Sequence, residues 1–472
     1  MVLDNFRRKL RQESKIWRDE GLINSSQHQQ LSDRYQFNKI EEASRENFII
    51  LVIIIGSVLL SLGVITFIAA NSQAWSREVK LIVVMSLLIG TSITGFNYFR
   101  QGLASGSGNK SQRSKKTLGE ALLFVSALIL GANMAVMAQI FNVSSSSSAL
   151  FLAWGLGVIA MAYSLRLTSL GILGISVMQI GYSIGVEEWF NSPAIDTWSQ
   201  LIVRHMPLIS WLLYIPLAYL CLSRWIFALA AIAFATALQL NLNPLQRLSY
   251  ADIAPWVASF AFALPPALWW SYDDLLFPKI NYRLFQPLAR TLALIFFGVI
   301  FSVLSFRWQW DTSYFSTLNN DGNSMLRSLP FLDIGILSGL AALQWLYLFR
   351  HRNSISRKLD TNIIAIASFI FLTALVPYWH QAISPIGPLA IFIFNSMLSI
   401  FACGLMREGM QNGDRRAFWG GMLLLTSQII SRVLEYDTDL LFRALVFAFC
   451  GWGVMSAGIW FERRLSSPPK KS

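Results

Sequence analysis

Charge is what this sequence has least of. Only 14% of its 472 residues are Asp, Glu, Lys or Arg, where a soluble domain typically carries about 25%. Cysteine is scarcer still. Cys221, Cys403 and Cys450 each fall inside an apolar run, with no C-x-x-C pair. That pattern gives no disulfide framework and no structural zinc site, and the three read as small buried hydrophobes. Histidine is limited to His28, His205, His351 and His380, all in connections or at the edges of apolar runs, with neither H-x-x-x-H nor H-E-x-x-H spacing. A catalytic zinc needs three protein ligands and an open position, so a zinc hydrolase is disfavoured. Phosphate-binding glycine loops and a G-x-S-x-G elbow are missing as well. The expectation is no catalytic residue, no cofactor-binding residue and no metal ligand, and an enzyme is the disfavoured reading.

Apolar residues are abundant. They make up 54% of the chain, with 33 Phe and 17 Trp and a mean hydropathy of +0.49. They gather in runs at 48–70, 79–99, 118–141, 149–166, 169–186, 206–223, 225–242, 253–271, 288–306, 330–350, 361–379, 386–406, 417–434 and 441–461. Lipid offers backbone N–H and C=O groups no partner, so a spanning segment is a helix or part of a closed barrel. Barrel strands alternate in polarity over about 10 residues. These runs are apolar almost throughout, at the roughly 20 residues that a membrane helix needs. The expected fold is all-α: a polytopic helical membrane protein of about 14 transmembrane helices. The weakest runs are 169–186, 225–242 and 417–434, and a pair of them is a candidate re-entrant hairpin.

Orientation follows from lysine and arginine, which collect in cytoplasmic connections. With the N-terminus inside, nine precede the first run and five (Arg100, Lys110, Arg113, Lys115 and Lys116) fill the second connection. Continuing the alternation places 30 of the 38 on that side. Only Arg77, Lys80, Arg204, Arg247, Arg307, Arg327, Arg432 and Arg443 lie on the other. An even number of spans with both ends cytoplasmic accounts for this. The outer connections also carry most of the loop carboxylates, among them Glu187, Glu188, Asp196, Asp311, Asp321 and Asp437, with Trp75, Trp189, Trp198, Trp308, Trp310 and Trp379 at their edges. The net charge of +12 therefore reads as basic inner loops that meet anionic lipid headgroups, and no nucleic acid is needed to explain it.

Three regions result: a cytoplasmic helical leader at 1–47, a transmembrane domain at 48–461 and a basic cytoplasmic tail at 462–472. Arg7, Arg8 and Lys9 precede no apolar stretch before Phe48, so no cleavable signal peptide is expected. In the leader, Gly21 suits the left-handed position after a helix, and Asn24 or Ser25 can cap the next one. A short α-hairpin is expected there, either a solvated leader or a docking element for a protein partner.

Ionisable residues inside the runs are few, which lowers the weight of proton-driven transport. Glu120, Asp252, Arg290, Asp333 and Arg443 all sit near run ends, within reach of headgroups or water. The run at 118–141 is richest in polar side chains. Gln139 and Asn142 share a face, whereas Asn133 and Glu120 point in other directions. Asn71, Glu120, Asn133, Gln139 and Asn142 are the candidate lining of a polar pocket. The competing and favoured reading makes these amides interhelical glue, at about 0.6–2 kcal/mol each. Gln179, Gln239, Gln344, Asn395 and Gln428 read as glue too. Gly181 and Gly185 form a GxxxG for close helix approach. Arg432, Glu435, Asp437, Asp439 and Arg443 cluster in the last outer connection. Ion pairing or solvation is expected there ahead of divalent-cation binding.

Several passages together resemble the bacterial membrane proteins grouped as domain-of-unknown-function family 2157. They are Trp17 to Ile23, Phe67 to Asn71 followed by Trp75, Gly119-Glu120-Ala-Leu-Leu, Gly131-Ala132-Asn133, Gln139 to Asn142, Trp154 in the next run, and at the end Leu441 to Phe447 and Glu462-Arg463-Arg464. Ser72 departs from the Trp that commonly follows Asn in that family. The resemblance is clear over about residues 10–175. It implies a multi-pass protein of a bacterial inner membrane and supplies no catalytic residue. The sequence thus leads to a scaffold, partner-binding or regulatory membrane component. The alternatives are a transporter or flippase-like protein for a small molecule or lipid, and an intramembrane enzyme.

Overall fold

The structure is a computed structural model. It describes residues 10, 13, 14, 16–35, 55, 56, 59, 62, 63, 66, 70, 75–104, 110–141, 146–191, 197–248, 254–273, 284–310, 330–353, 361–436 and 439–466. Those residues are helical with short connections, and no strand occurs among them. The chain divides into two compact units, Met1–Gly181 and Tyr182–Ser472.

The first unit opens on a helical turn that ends at Gly21, whose φ is +76°. Gly21 N–H donates to Arg18 O at 3.1 Å and Leu22 N–H to Trp17 O at 2.8 Å, the paired bonds of a Schellman stop. Asn24 then starts α1 (Ser25–Tyr35). Its Oδ1 accepts from Gln27 N–H at 2.8 Å, while Gln27 Oε1 accepts from Asn24 N–H at 2.9 Å, a reciprocal cap that satisfies two otherwise orphaned amides. The expected span 48–70 and Asn71 fall almost wholly outside the described residues. Next come α2 (Arg77–Ala104), α3 (Lys110–Ile140), α4 (Ser147–Leu165) and the first part of α5 (Thr168–Asn191).

The α2–α3 pair touches along most of its length because glycines line the seam. A Cβ on Gly119 would lie within 3.0 Å of the Phe99 backbone and Gly95 O, and one on Gly102 would meet the Lys116 backbone at 2.8 Å. Small residues let backbones approach where lipid supplies no hydrophobic drive. The α4–α5 seam repeats the device. Gly155 faces Met178, Gly174 faces Ile159 and Gly181 faces Phe151 and Leu152.

The second unit contains the rest of α5, then α6 (Trp198–Arg204), α7 (Met206–Leu220), α8 (Arg224–Leu242), α9 (Pro244–Leu248), α10 (Trp256–Trp270), α11 (Gln286–Leu304), a 3-10 turn (Arg307–Trp310), α12 (Phe331–Asn353), α13 (Thr361–Ala382), α14 (Gly387–Asn412), α15 (Arg415–Glu435) and α16 (Leu440–Ser466). Its core is aromatic. Phe297 and Phe301 of α11 pack edge-to-face with Phe369 of α13 and Phe401 of α14, a geometry that adds to the area each ring buries.

Among the described residues, 11 helices are long and apolar enough to cross a membrane, or 12 if one bent pair forms a span. The expected count of about 14 differs at three places. The run 48–70 is outside the described residues. The run 206–223 belongs to the bent pair α6 and α7, which meet at 81°. The run 253–271 gives α10, a helix of only 15 residues with Pro265 and Pro266 inside it. At 1.5 Å per residue it reaches about 22 Å, short of the ~30 Å hydrocarbon core. It is buried over most of its surface, from Val257 to Trp269, so protein and not lipid surrounds it. The interruptions therefore fall outside the three weak runs, which form full helices of 24, 19 and 21 residues. Apolar content could not reveal this, because α10 is as apolar as a span and differs only in length and neighbours.

Candidate functional site

The residues singled out on the third run are held apart. Asn71 and Asn142 lie outside the described residues. Glu120 sits 3.9 Å from Lys116 one turn earlier. Asn133 is buried and donates Nδ2–H to Met85 Sδ on α2 at 3.2 Å. Gln139 is exposed. All three ride on α3, where the rise per residue separates Glu120 from Asn133 by about 20 Å. No hydrogen bond joins them among the described residues.

Convergent polar groups occur instead at the α6–α7 elbow. Its cause is local: Pro207 stands at the start of α7. Proline has no N–H to give the carbonyl four residues back, and it disfavours helical geometry in the residue before it. The carbonyls of Val203 and Arg204 are thereby released at the end of α6. Asn241 of α8 takes both, donating Nδ2–H to Val203 O at 3.0 Å and Arg204 O at 2.9 Å. Its own Oδ1 accepts from the Tyr182 hydroxyl at 2.8 Å.

The other side of the break is met by a carboxylate. Asp333, in the first turn of α12, is 0% exposed and its Oδ1 lies 2.7 Å from Nδ1 of His205 at the bend. It also faces the Leu208 main-chain N–H in the first turn of α7, with Arg204 near. A negative group gains from the positive end of a helix dipole, and Asp333 stands at two such ends, those of α7 and α12. One oxygen, Oδ2, is buried with no hydrogen-bond partner among the described residues. The sequence places Asp333 at a run end within reach of water, and the structure corrects this: the residue is enclosed by protein. The pairing joins positions 128 apart, so only the His205-Met206-Pro207 break is a local signal.

The Arg432 cluster is the electrostatic mirror image. Arg432 near the end of α15 is ion-paired with Glu435, donates Nη1–H to Ser305 O at the end of α11 at 2.6 Å, and stacks 4.3 Å over the Phe306 ring. A cation thus sits where two helix C-termini present carbonyls. Glu435 in turn accepts from Arg307 N–H. This is the pairing expected for the cluster. Asp437 is outside the described residues. Among the described residues no group of three or more His, Cys, Asp or Glu is placed to hold a metal ion.

Residues 15–171 match the family model described as "Predicted membrane protein (DUF2157)". Comparison with curated proteins and with solved structures finds no match. The match covers the first unit almost entirely, and three of the residues that carry the resemblance there, Gly119, Gly131 and Trp154, are contact residues. Gly119 meets the Phe99 backbone. Gly131 makes room for the Trp154 ring, which a Cβ would approach to 2.5 Å. The same indole donates Nε1–H to Ala127 O at 2.8 Å. The chain is a polytopic helical membrane protein, and Gly119, Gly131 and Trp154 fit its helices together.

Proposed function

We propose that this protein is a membrane-embedded scaffold or regulatory component that works by binding partners, without catalysis and without carrying a solute through its core. The observation that carries the reading is where the buried amides go. Gln239 donates to Ala261 O at 2.6 Å, Asn241 to the α6 carbonyls, Gln428 to Asn395 O at 2.8 Å and Asn395 to Ser305 O at 3.2 Å. Each ties one helix to main chain elsewhere in its unit, which is the work of interhelical glue. A substrate path would leave such groups facing a wet cavity. In this reading the capped leader turn and α1 present the partner-binding element, and the basic connections sit against anionic headgroups of a bacterial inner membrane.

The test is reconstitution of the full chain into vesicles of phosphatidylethanolamine and phosphatidylglycerol. Expected are background rates for release of trapped ions, sugars and amino acids and for headgroup-labelled lipid exchange between leaflets. Flux or scrambling several-fold above protein-free vesicles would overturn the reading. Removal of residues 1–47 is expected to leave membrane insertion intact while abolishing co-purification of any bound protein.

A further inference from the structure

The α6–α7 elbow carries more than glue requires. A break between two half-helices needs a donor for the freed carbonyls and an acceptor for the freed amides. Asn241 meets the first need with an uncharged amide. A Ser or Asn would meet the second, as in ordinary caps. The chain uses instead a fully buried carboxylate joined to an imidazole. Burying a carboxylate is costly unless it is paired and hydrogen-bonded, and here one of its oxygens has no partner among the described residues. The imidazole is different: the His205 side chain is 24% exposed while Asp333 is 0%. Histidine is also the side chain whose ordinary titration falls near neutral pH.

We propose that His205 and Asp333 form a proton-binding site, in which proton uptake by His205 tightens the α6–α7 elbow. The inference goes beyond the scaffold reading and does not depend on it. Neutral His205 donates one Nδ1–H bond to Asp333. After taking up a proton from outside the core, the same bond joins an imidazolium to a carboxylate. The acceptor is charged in both states, and protonation adds an ion-pair attraction by making the donor charged as well. Among the described residues the groups around the pair are few. From α6 comes Arg204, which opposes the added charge. From α12 comes Asp333, which favours it. From α7 comes the Leu208 amide. From α8 comes the uncharged Asn241, with the Tyr182 hydroxyl of α5 behind it. The His205–Asp333 half of the joint can take up a proton and the Asn241 amide cannot, so proton uptake acts on the start of α7 while the end of α6 stays held by Asn241.

The experiment is amide hydrogen exchange on the full chain in lipid nanodiscs at pH 8 and pH 6, corrected for intrinsic rates. Expected in the unaltered protein is at least threefold slower exchange at pH 6 across residues 206–212. His205→Gln keeps a neutral donor beside Asp333 and is expected to exchange equally at both pH values. His380→Gln, altering the buried imidazole beside Trp310, is expected to retain the change. Asp333→Asn should remove it. Should Asp333→Asn fail to fold, the first three proteins still decide. Equal exchange at both pH values in the unaltered chain, faster exchange at pH 6, or a change that persists in His205→Gln would each overturn the proposal.

Discussion

The first unit brings its helices together where side chains are missing, and the second does so largely where polar and aromatic side chains meet. Between α2 and α3 the contact is backbone on backbone, made at Gly95, Gly102 and Gly119. The polar bonds there are small: Ser92 to Ser126 at 2.5 Å and Asn133 to Met85 Sδ. The second unit spends amides, an enclosed acid and a stack of phenylalanines. The α14–α15 hairpin shows both methods on one seam. Close to its turn, Gly409 lies against the Phe418 backbone and Gly421 against Ala402 O. Farther along, Asn395, Ser399 and Gln428 bond to one another. Near a tight turn the helices are already forced together, so removing a Cβ suffices. Away from the turn, directional bonds to main chain hold the pair.

The difference can be broken most sharply at Gly119. Gly119→Leu puts a side chain into the Phe99 backbone, which cannot move aside as a side-chain tip can. Overpacking typically costs 1–3 kcal/mol, and this site is expected at or above the top of that range, with loss of the monodisperse species in size-exclusion chromatography. Gly451→Leu, at a position with open space around it, is the matched control and should change little. A smaller effect is expected in the second unit. Gln428→Leu removes the bonds to Asn395 and Ser399 and should cost about 0.6–2 kcal/mol, read as a lower midpoint in detergent-denaturant titration. If it costs as much as Gly119→Leu, the contrast between the seams fails. The smallest effect is expected for Trp154→Phe, which keeps a ring over Gly131 and loses the bond to Ala127 O, about 0.5–1.5 kcal/mol. A loss larger than that of Gln428→Leu would mean that the first unit also rests on directional bonds.

Some of this was legible beforehand and some was not. Gly21 and Asn24 act within four residues of themselves, so their stop and cap follow from residue type. The ends of most helices agree with the apolar runs for the same reason. Arg432 and Glu435 are one helical turn apart, and their pairing could be read from spacing. The apolar run at 253–271 resembles any span, and only its neighbours show that it is a short buried helix. Asp333 at the start of a run is ambiguous, since a carboxylate there can face headgroups or protein.

Hydropathy and the lipid's refusal to satisfy backbone groups determined by sequence alone that this is a many-helix membrane protein. Pro207 is a local feature at the α6–α7 break, but Pro216, Pro265, Pro266 and Pro377 lie inside helices, so proline by itself did not mark that break. What only the tertiary structure decided is how the break is closed. Val203 and Arg204 carbonyls wait for Asn241, and His205 waits for an acid 128 positions away, because the partner for a freed backbone group is whatever helix the fold brings alongside.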